Sequence, residues 1–375
     1  MSHAEGRQTV AGLNAESWGA HAEGFSSRAL NASAHAEGYG TTASGDGSHA
    51  EGNSTFAEGQ NAHSEGRLTK AVSRQAHAEG DNTVAGDRDF DTSVISALED
   101  YGVGAAAHAE GIGTLARGGA SHAEGYKNQA LGESSHAEGE STLATGKASH
   151  AEGRYTNAVG VSAHAEGGYL KRCYLEGTAG VYKVYDSQTS EMPSWLNGYY
   201  YDAGSESAID GQPLDDVKIY NDNYEHIGTI TSSYSETGDD LYIRVDGITG
   251  TFTTASEDVF LIAWSKAEGT SSHSEGGGLA VGNFSHAEGS MTWAAHQSHA
   301  EGHMSASMNT GSHAEGIRTR AHGHASHSEG NRTFAKGEAS HAEGYKTSAE
   351  GDYSHAEGNN TIAKGEYSHT EGYYT

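Results

Sequence analysis

The sequence predicts an all-β solenoid, and three observations lead there. The motif His-(Ala/Ser/Thr)-Glu-Gly occurs 19 times in 375 residues, beginning at His3, His21, His35, His49, His63, His77, His108, His122, His136, His150 and His164 and resuming at His273, His286, His299, His313, His327, His341, His355 and His369. Most neighbouring copies lie 14 residues apart and two steps are 13, a fixed period that marks stacked repeats before any propensity argument. Finally, only 34% of the residues are hydrophobic, 53 are Gly, and much of the apolar content is Ala. A conventional core is therefore not available, and stacking of repeats must supply the stability.

The full unit reads Thr-x-Ala-x-Gly-x-x-Ser-His-Ala-Glu-Gly-x-x, as in Thr333 to Lys346 and Thr347 to Asn360. Each unit holds two pieces of period two, Thr-x-Ala and His-Ala-Glu, each followed by Gly. That pattern predicts two short strands, with corners at Gly, which takes φ > 0 without steric cost. Alternation along a strand sends Ala123 to the face opposite His122 and Glu124. The expectation is a thin roll filled by Ala, with His and Glu in columns on the other face; at about 4.8 Å per turn, roughly twenty turns make a rod on the order of 90 Å. A Thr column, seen at Thr9, Thr83, Thr114, Thr142, Thr333, Thr347 and Thr361, is expected to hydrogen-bond along the stack. It does not match an ice-binding face, because its neighbouring position varies among Val, Leu, Phe, Ser and Ile.

The Ser-His-Ala-Glu-Gly core resembles the Ser-Val-Ala-Ile-Gly signature of YadA-type trimeric adhesin heads, in two blocks that cover about three quarters of the chain. The resemblance implies a left-handed parallel β-roll solenoid of 14-residue repeats, assembled as a homotrimer. In that family the Val and Ile positions face the trimer interior; here they are His and Glu. The resemblance therefore implies an interior network between chains, carried by His122, Glu124, His136, Glu138, His150, Glu152, His327, Glu329, His341, Glu343, His355 and Glu357. Such groups are costly to bury unless paired, and imidazole donors can meet carboxylate acceptors. Repeats of this type also resemble those of phage tail fibres, neck appendages and related surface proteins of Gram-positive bacteria and their phages.

Two interruptions break the period. From His77 to His108 the spacing is 31 residues, an excess of 17 over one repeat. Within the added stretch, at about 87–104, Asp91 is a credible N-cap, Val94, Ile95 and Leu98 follow helical spacing, and Gly102 is a credible stop, which predicts a short packing helix. The second interruption, 168–264, divides the roll into 1–167 and 265–375. It contains both Pro, Cys173, Trp195, Trp264 and 11 of the 20 Tyr. Val181–Tyr185, Val217–Tyr220, Leu241–Val245 and Val259–Ala263 read as strands of an inserted small β domain. Ser265-Lys266-Ala267-Glu268-Gly269 reads as a degenerate repeat with Lys in place of His.

The inserted domain is the expected seat of recognition, because it breaks the uniformity of the rungs. Trp195, Tyr199, Tyr200, Tyr201, Tyr220 and Tyr224 are the candidate ligand contacts, being aromatic rings with polar handles suited to a sugar or a protein receptor. Several of these Tyr also suit the core of a small β domain.

The net charge of −29 disfavours nucleic acid and anionic lipid as partners. One Cys excludes an intrachain disulfide, no stretch of about 20 apolar residues is present to enter a membrane, and no signal peptide is evident. The motif is too regular for dedicated catalytic or metal centres and lacks His-Glu-x-x-His, so no catalytic residue, metal or cofactor is expected. These readings lead to a segment of a longer fibre, most simply a phage tail fibre or appendage in a virion, whose trimeric shaft presents the insert to a host receptor or glycan. A bacterial cell-surface adhesin head and a carbohydrate-degrading enzyme with its site in the insert are the alternatives.

Overall fold

The computed structural model describes residues 1–13, 17–86, 104–168, 170–178, 181–185, 218–221, 226–235, 241–246, 260–263 and 265–375, with the strands between 170 and 263 described by backbone alone. Every regular element among them is a β-strand, and they divide into two compact units, residues 1–166 and 167–375. The expected helix near 91–102 lies outside the described residues.

In the first unit each turn is one rung of a parallel β-solenoid. The rung from His136 to Ser149 shows how it closes: a strand over His136–Glu140, a corner at Ser141 (φ 57°), a two-residue strand over Leu143–Ala144, and a second corner at Ala148 (φ 54°). The next rung repeats it in register, with His136 paired to His150, Ala137 to Ala151, Glu138 to Glu152 and Gly139 to Gly153. Four side chains per rung point inward, here Ala137, Thr142, Ala144 and Ser149, none more than 1% exposed. All are small because the two strands of a rung close directly on each other.

Where Ser precedes the motif His it has a definite task. Ser149 donates its hydroxyl to the Gly146 carbonyl at 2.8 Å, and its N–H donates to the same oxygen at 3.2 Å, so one residue closes the second corner twice. Ser135, Ser272, Ser326 and Ser340 make the same contact.

The two Gly of the unit serve different purposes. Gly139 takes φ 104°, and a Cβ there would lie 2.0 Å from the Gly153 carbonyl oxygen. Gly146 has no positive φ; it is Gly because a Cβ would fall 1.9 Å from the Gly160 carbonyl. The corners that do take the left-handed conformation are mostly filled by other residues, such as Ser141, Ala148 and Lys127.

The Thr column departs from expectation. Thr83, Thr114 and Thr361 point inward, and their hydroxyls donate to the carbonyls of Glu79, Glu110 and Glu357 within the same rung rather than along the stack. A Thr face turned into the roll presents no surface to ice.

The 31-residue spacing leaves the roll undisturbed. His77 pairs with His108 and Ala85 with Ala116, so the rungs on either side of residues 87–103 stack in register.

In the second unit a solenoid of the same kind runs from Lys266 to Thr375. Lys266–Ala267 pairs with Leu279–Ala280, which makes it the short strand of a rung. The reading of Lys266 as a substitute for His is thereby corrected: Ser265-Lys266-Ala267-Glu268-Gly269 is the Thr-x-Ala-x-Gly half of the repeat. The shortened spacing from His273 to His286 removes a corner residue, and Met291 bulges where Gly278 pairs with Thr292.

Six strands of this unit pair antiparallel into a closed barrel in the order Leu170–Thr178, Val181–Tyr185, Leu241–Asp246, His226–Ser235, Lys218–Asn221 and Phe260–Ala263, which returns to Leu170–Thr178. Four of these were expected from their β-branched and aromatic residues. Leu170–Thr178 and His226–Ser235 were not, since the second is rich in Ser and Thr and lacks a clear apolar alternation.

Candidate functional site in the histidine and glutamate columns

Parallel, in-register pairing forces each side chain to lie over its equivalent one strand spacing away. For the His column the result is a stack of imidazoles. In the first unit it runs without a break from His21 to His164, with His122 and His136 at 4.9 Å between ring centroids and 3° between planes, and His136 and His150 at 4.7 Å and 4°. In the second unit it runs from His273 to His355, with His327 and His341 at 4.9 Å and His341 and His355 at 4.7 Å.

The structure brings the expected His and Glu together within one chain. His327, His341 and His355 place Nε2 at 3.7, 3.7 and 3.8 Å from the carboxylates of Glu329, Glu343 and Glu357. Contacts also cross between rungs: His136 Nε2 lies 3.6 Å from Glu124, and His150 Nε2 lies 3.4 Å from Glu138 and 3.9 Å from Glu152. Glu79 and Glu152 are thus each straddled by two imidazoles. None of these contacts has hydrogen-bond geometry: in every rung from His21 to His150, and again from His286 to His355, Nε2 is shut off from solvent and has no hydrogen-bond partner.

No known family and no curated protein sequence matches the chain.

Stacking like groups at this spacing displaces their titrations. Burial, and then the neighbouring His150 and His122, hold the His136 imidazole below its ordinary range; His77, His108, His299 and His313 shift the same way, with burial first. The carboxylates share protons along their column. Hydrogen bonds with Glu65 and Glu110 push Glu79 up to about 7, while Glu65 is lowered by its hydrogen bond with Glu79. Farther along, Glu138 is raised and its neighbours Glu124 and Glu152 are lowered, each chiefly by carboxyl-to-carboxyl hydrogen bonds. Raised and lowered carboxyls stand side by side, Glu79 beside Glu65 and Glu138 between Glu124 and Glu152, because adjacent carboxylates at strand spacing do not ionise equally. On this face Glu51, Glu65, Glu79 and Glu110 line an open trough of about 510 Å³.

The columns supply ligand-type atoms in a regular pattern. His108, Glu110 and His122 bring two imidazole nitrogens and a carboxylate oxygen within 4.8 Å of one another, as do His136, Glu138 and His150, and His286, Glu288 and His299.

Of the other expected contacts, Trp195, Tyr199, Tyr200, Tyr201 and Tyr224 lie outside the described residues. Tyr220 sits in the barrel strand Lys218–Asn221. Sequence reasoning missed the face-to-face imidazole stack and the contacts of Glu79, Glu124, Glu138 and Glu152 with the His of the following rung. The signal for both was the unbroken 14-residue period. A second concavity, of about 320 Å³, is lined by Ile317, Arg318, Asn331, Arg332 and Tyr345, with His303 at its end. Among the described residues no helix is long and apolar enough to cross a membrane.

Proposed function

We propose that this chain is a structural fibre segment, of the phage tail fibre or appendage kind, in which a left-handed roll associates as a homotrimer through its His and Glu columns and presents the insert at 168–264 to a host-surface receptor or glycan. One observation carries the reading. Rung after rung, His Nε2 is closed to water yet unbonded, an arrangement that costs free energy unless a further group completes it. The His and Glu side chains as wholes stay about a third exposed on one chain, 35% and 34% at His150 and Glu138, and two further copies of the same face would cover that surface and offer donors and acceptors at the same spacing. Uniform rungs also suit a spacer, since no single rung is set apart for chemistry.

The mass of the native particle by light scattering tests the assembly. Three times the 39.1 kDa chain is expected, and a stable monomer would overturn the proposal. The presenting role is tested by replacing Trp195, Tyr199, Tyr200 and Tyr201 with Ala: binding to host cells should fall while the particle mass stays the same.

A further inference from the structure

Each set of His, Glu and the next rung's His is assembled by one chain, and what it offers is a chelate. Two ligands bound to one ion at about 2.1 Å stand about 3.0–3.4 Å apart. The His and Glu atoms of these columns stand 3.4–4.0 Å apart, so small torsional changes bring them to an ion. The two imidazoles of a set must also tilt towards each other, out of a stack with 4.7–4.9 Å between centroids. Against that cost, the ion gives Nε2 the partner it lacks and places positive charge among adjacent carboxylates in a chain of net charge −29.

We propose that the column face is a linear array of divalent-cation sites, each built from one His Nε2, the carboxylate of the Glu two residues on, and the Nε2 of the His in the next rung. Mixed imidazole and carboxylate ligands suit a borderline ion such as Zn²⁺, and three protein ligands leave a position for water. Every His belongs to two successive sets, so a filled set deprives its neighbours of a ligand. Occupancy is therefore limited to one ion per two rungs, as for His108-Glu110-His122 followed by His136-Glu138-His150. The sites stand on single chains and do not rest on the trimer.

The test is native mass spectrometry of the full chain, stripped with EDTA and titrated with ZnCl₂. It reads bound ions per chain and chains per particle in one spectrum. The expected result is several discrete Zn²⁺ ions per chain, never more than one per two rungs. The variant E110Q/E124Q, which removes both sets that share His122, should lose one ion whichever register the ions occupy, and the visible absorption of bound Co²⁺ should fall in parallel. Replacing the exposed His296, His322 and His324, which lie off the column, with Ala should leave the count unchanged. The proposal is overturned if no ion is retained, if the Gln variant keeps the full count, or if the off-column variant loses it. A trimer without ions rejects only this proposal; a monomer with ions rejects only the trimer.

Discussion

His77 and His108 are 31 residues apart, yet their imidazoles stack with centroids 4.7 Å apart and planes 3° from parallel, matching His108 and His122, which are 14 apart. The rungs on either side of residues 87–103 are therefore direct neighbours in the stack. Joining Gly86 to Gly104 regenerates a 14-residue unit, Thr83-Val84-Ala85-Gly86-Gly104-Ala105-Ala106-Ala107 and onward. The shortened chain should keep the melting temperature of the parent to within a few degrees. A large loss would show that residues 87–103 hold the rungs together.

Gly139 and Ala148 both take a positive φ, so the reverse substitutions Gly→Ala at the first and Ala→Gly at the second should have opposite effects. Gly139→Ala puts a Cβ against the Gly153 carbonyl at a positive φ and should cost about 3 kcal/mol or more. Ala148→Gly relieves an exposed left-handed corner, where Gly47 already stands in an earlier rung, and should gain up to about 1 kcal/mol. Urea unfolding midpoints report both, and equal tolerance of the two would contradict the geometry.

The Ala column admits a hydroxyl but not a larger side chain. Ser64 and Ser328 occupy it naturally, each hydrogen-bonded at 2.8 Å to the Thr five residues on. Thr142 has no partner for its hydroxyl, so Ala137→Ser should be neutral or slightly stabilising by making that bond. Ala137→Val adds two methyl groups between Ala123 and Ala151 and should cost about 1–3 kcal/mol. Thermal melts that rank Ser below Val would reject this packing.

Neighbouring carboxylates should show opposite pH responses. Glu79 is raised to about 7, so the stability it lends is present below the ordinary carboxylate range and is lost as pH rises through 7. Gln copies its protonated form; Glu79→Gln should stabilise at pH 8 by about 1 kcal/mol after solvent screening, and do little at pH 5. Glu124 is lowered, so its contribution is present above that range and lost on acidification, and Glu124→Gln should destabilise at pH 8. His77 and His108, which flank Glu79, are lowered too; their contribution is full above pH 6.5 and falls below it. Melting curves with the same sign for both Gln variants would contradict the opposite shifts of the two carboxyls.

Period two made the inward turn of Ala123 and the outward columns of His122 and Glu124 legible, because alternation follows from strand geometry alone. It did not reveal that Lys266-Ala267 belongs to the short strand. Lys-Ala-Glu-Gly differs from His-Ala-Glu-Gly at one position, and only its pairing with Leu279–Ala280 tells the two halves apart. The left-handed corners at Lys127 and Ala148 carry no residue-type signal, since neither is Gly or Asn. Gly146 misled in the other direction, being required for space and not for its torsion. The proton sharing at Glu79 depends on side-chain torsions that a repeat pattern does not encode.

The most direct test of a closed His face is deuterium exchange at the imidazole Cε1–H of individual histidines in the native particle, followed by mass spectrometry across pH. His136, His299 and His313 should exchange far more slowly than the exposed His296 and His324, with midpoints below the ordinary imidazole value. Equal rates on and off the column would place the columns in open solvent and contradict the account.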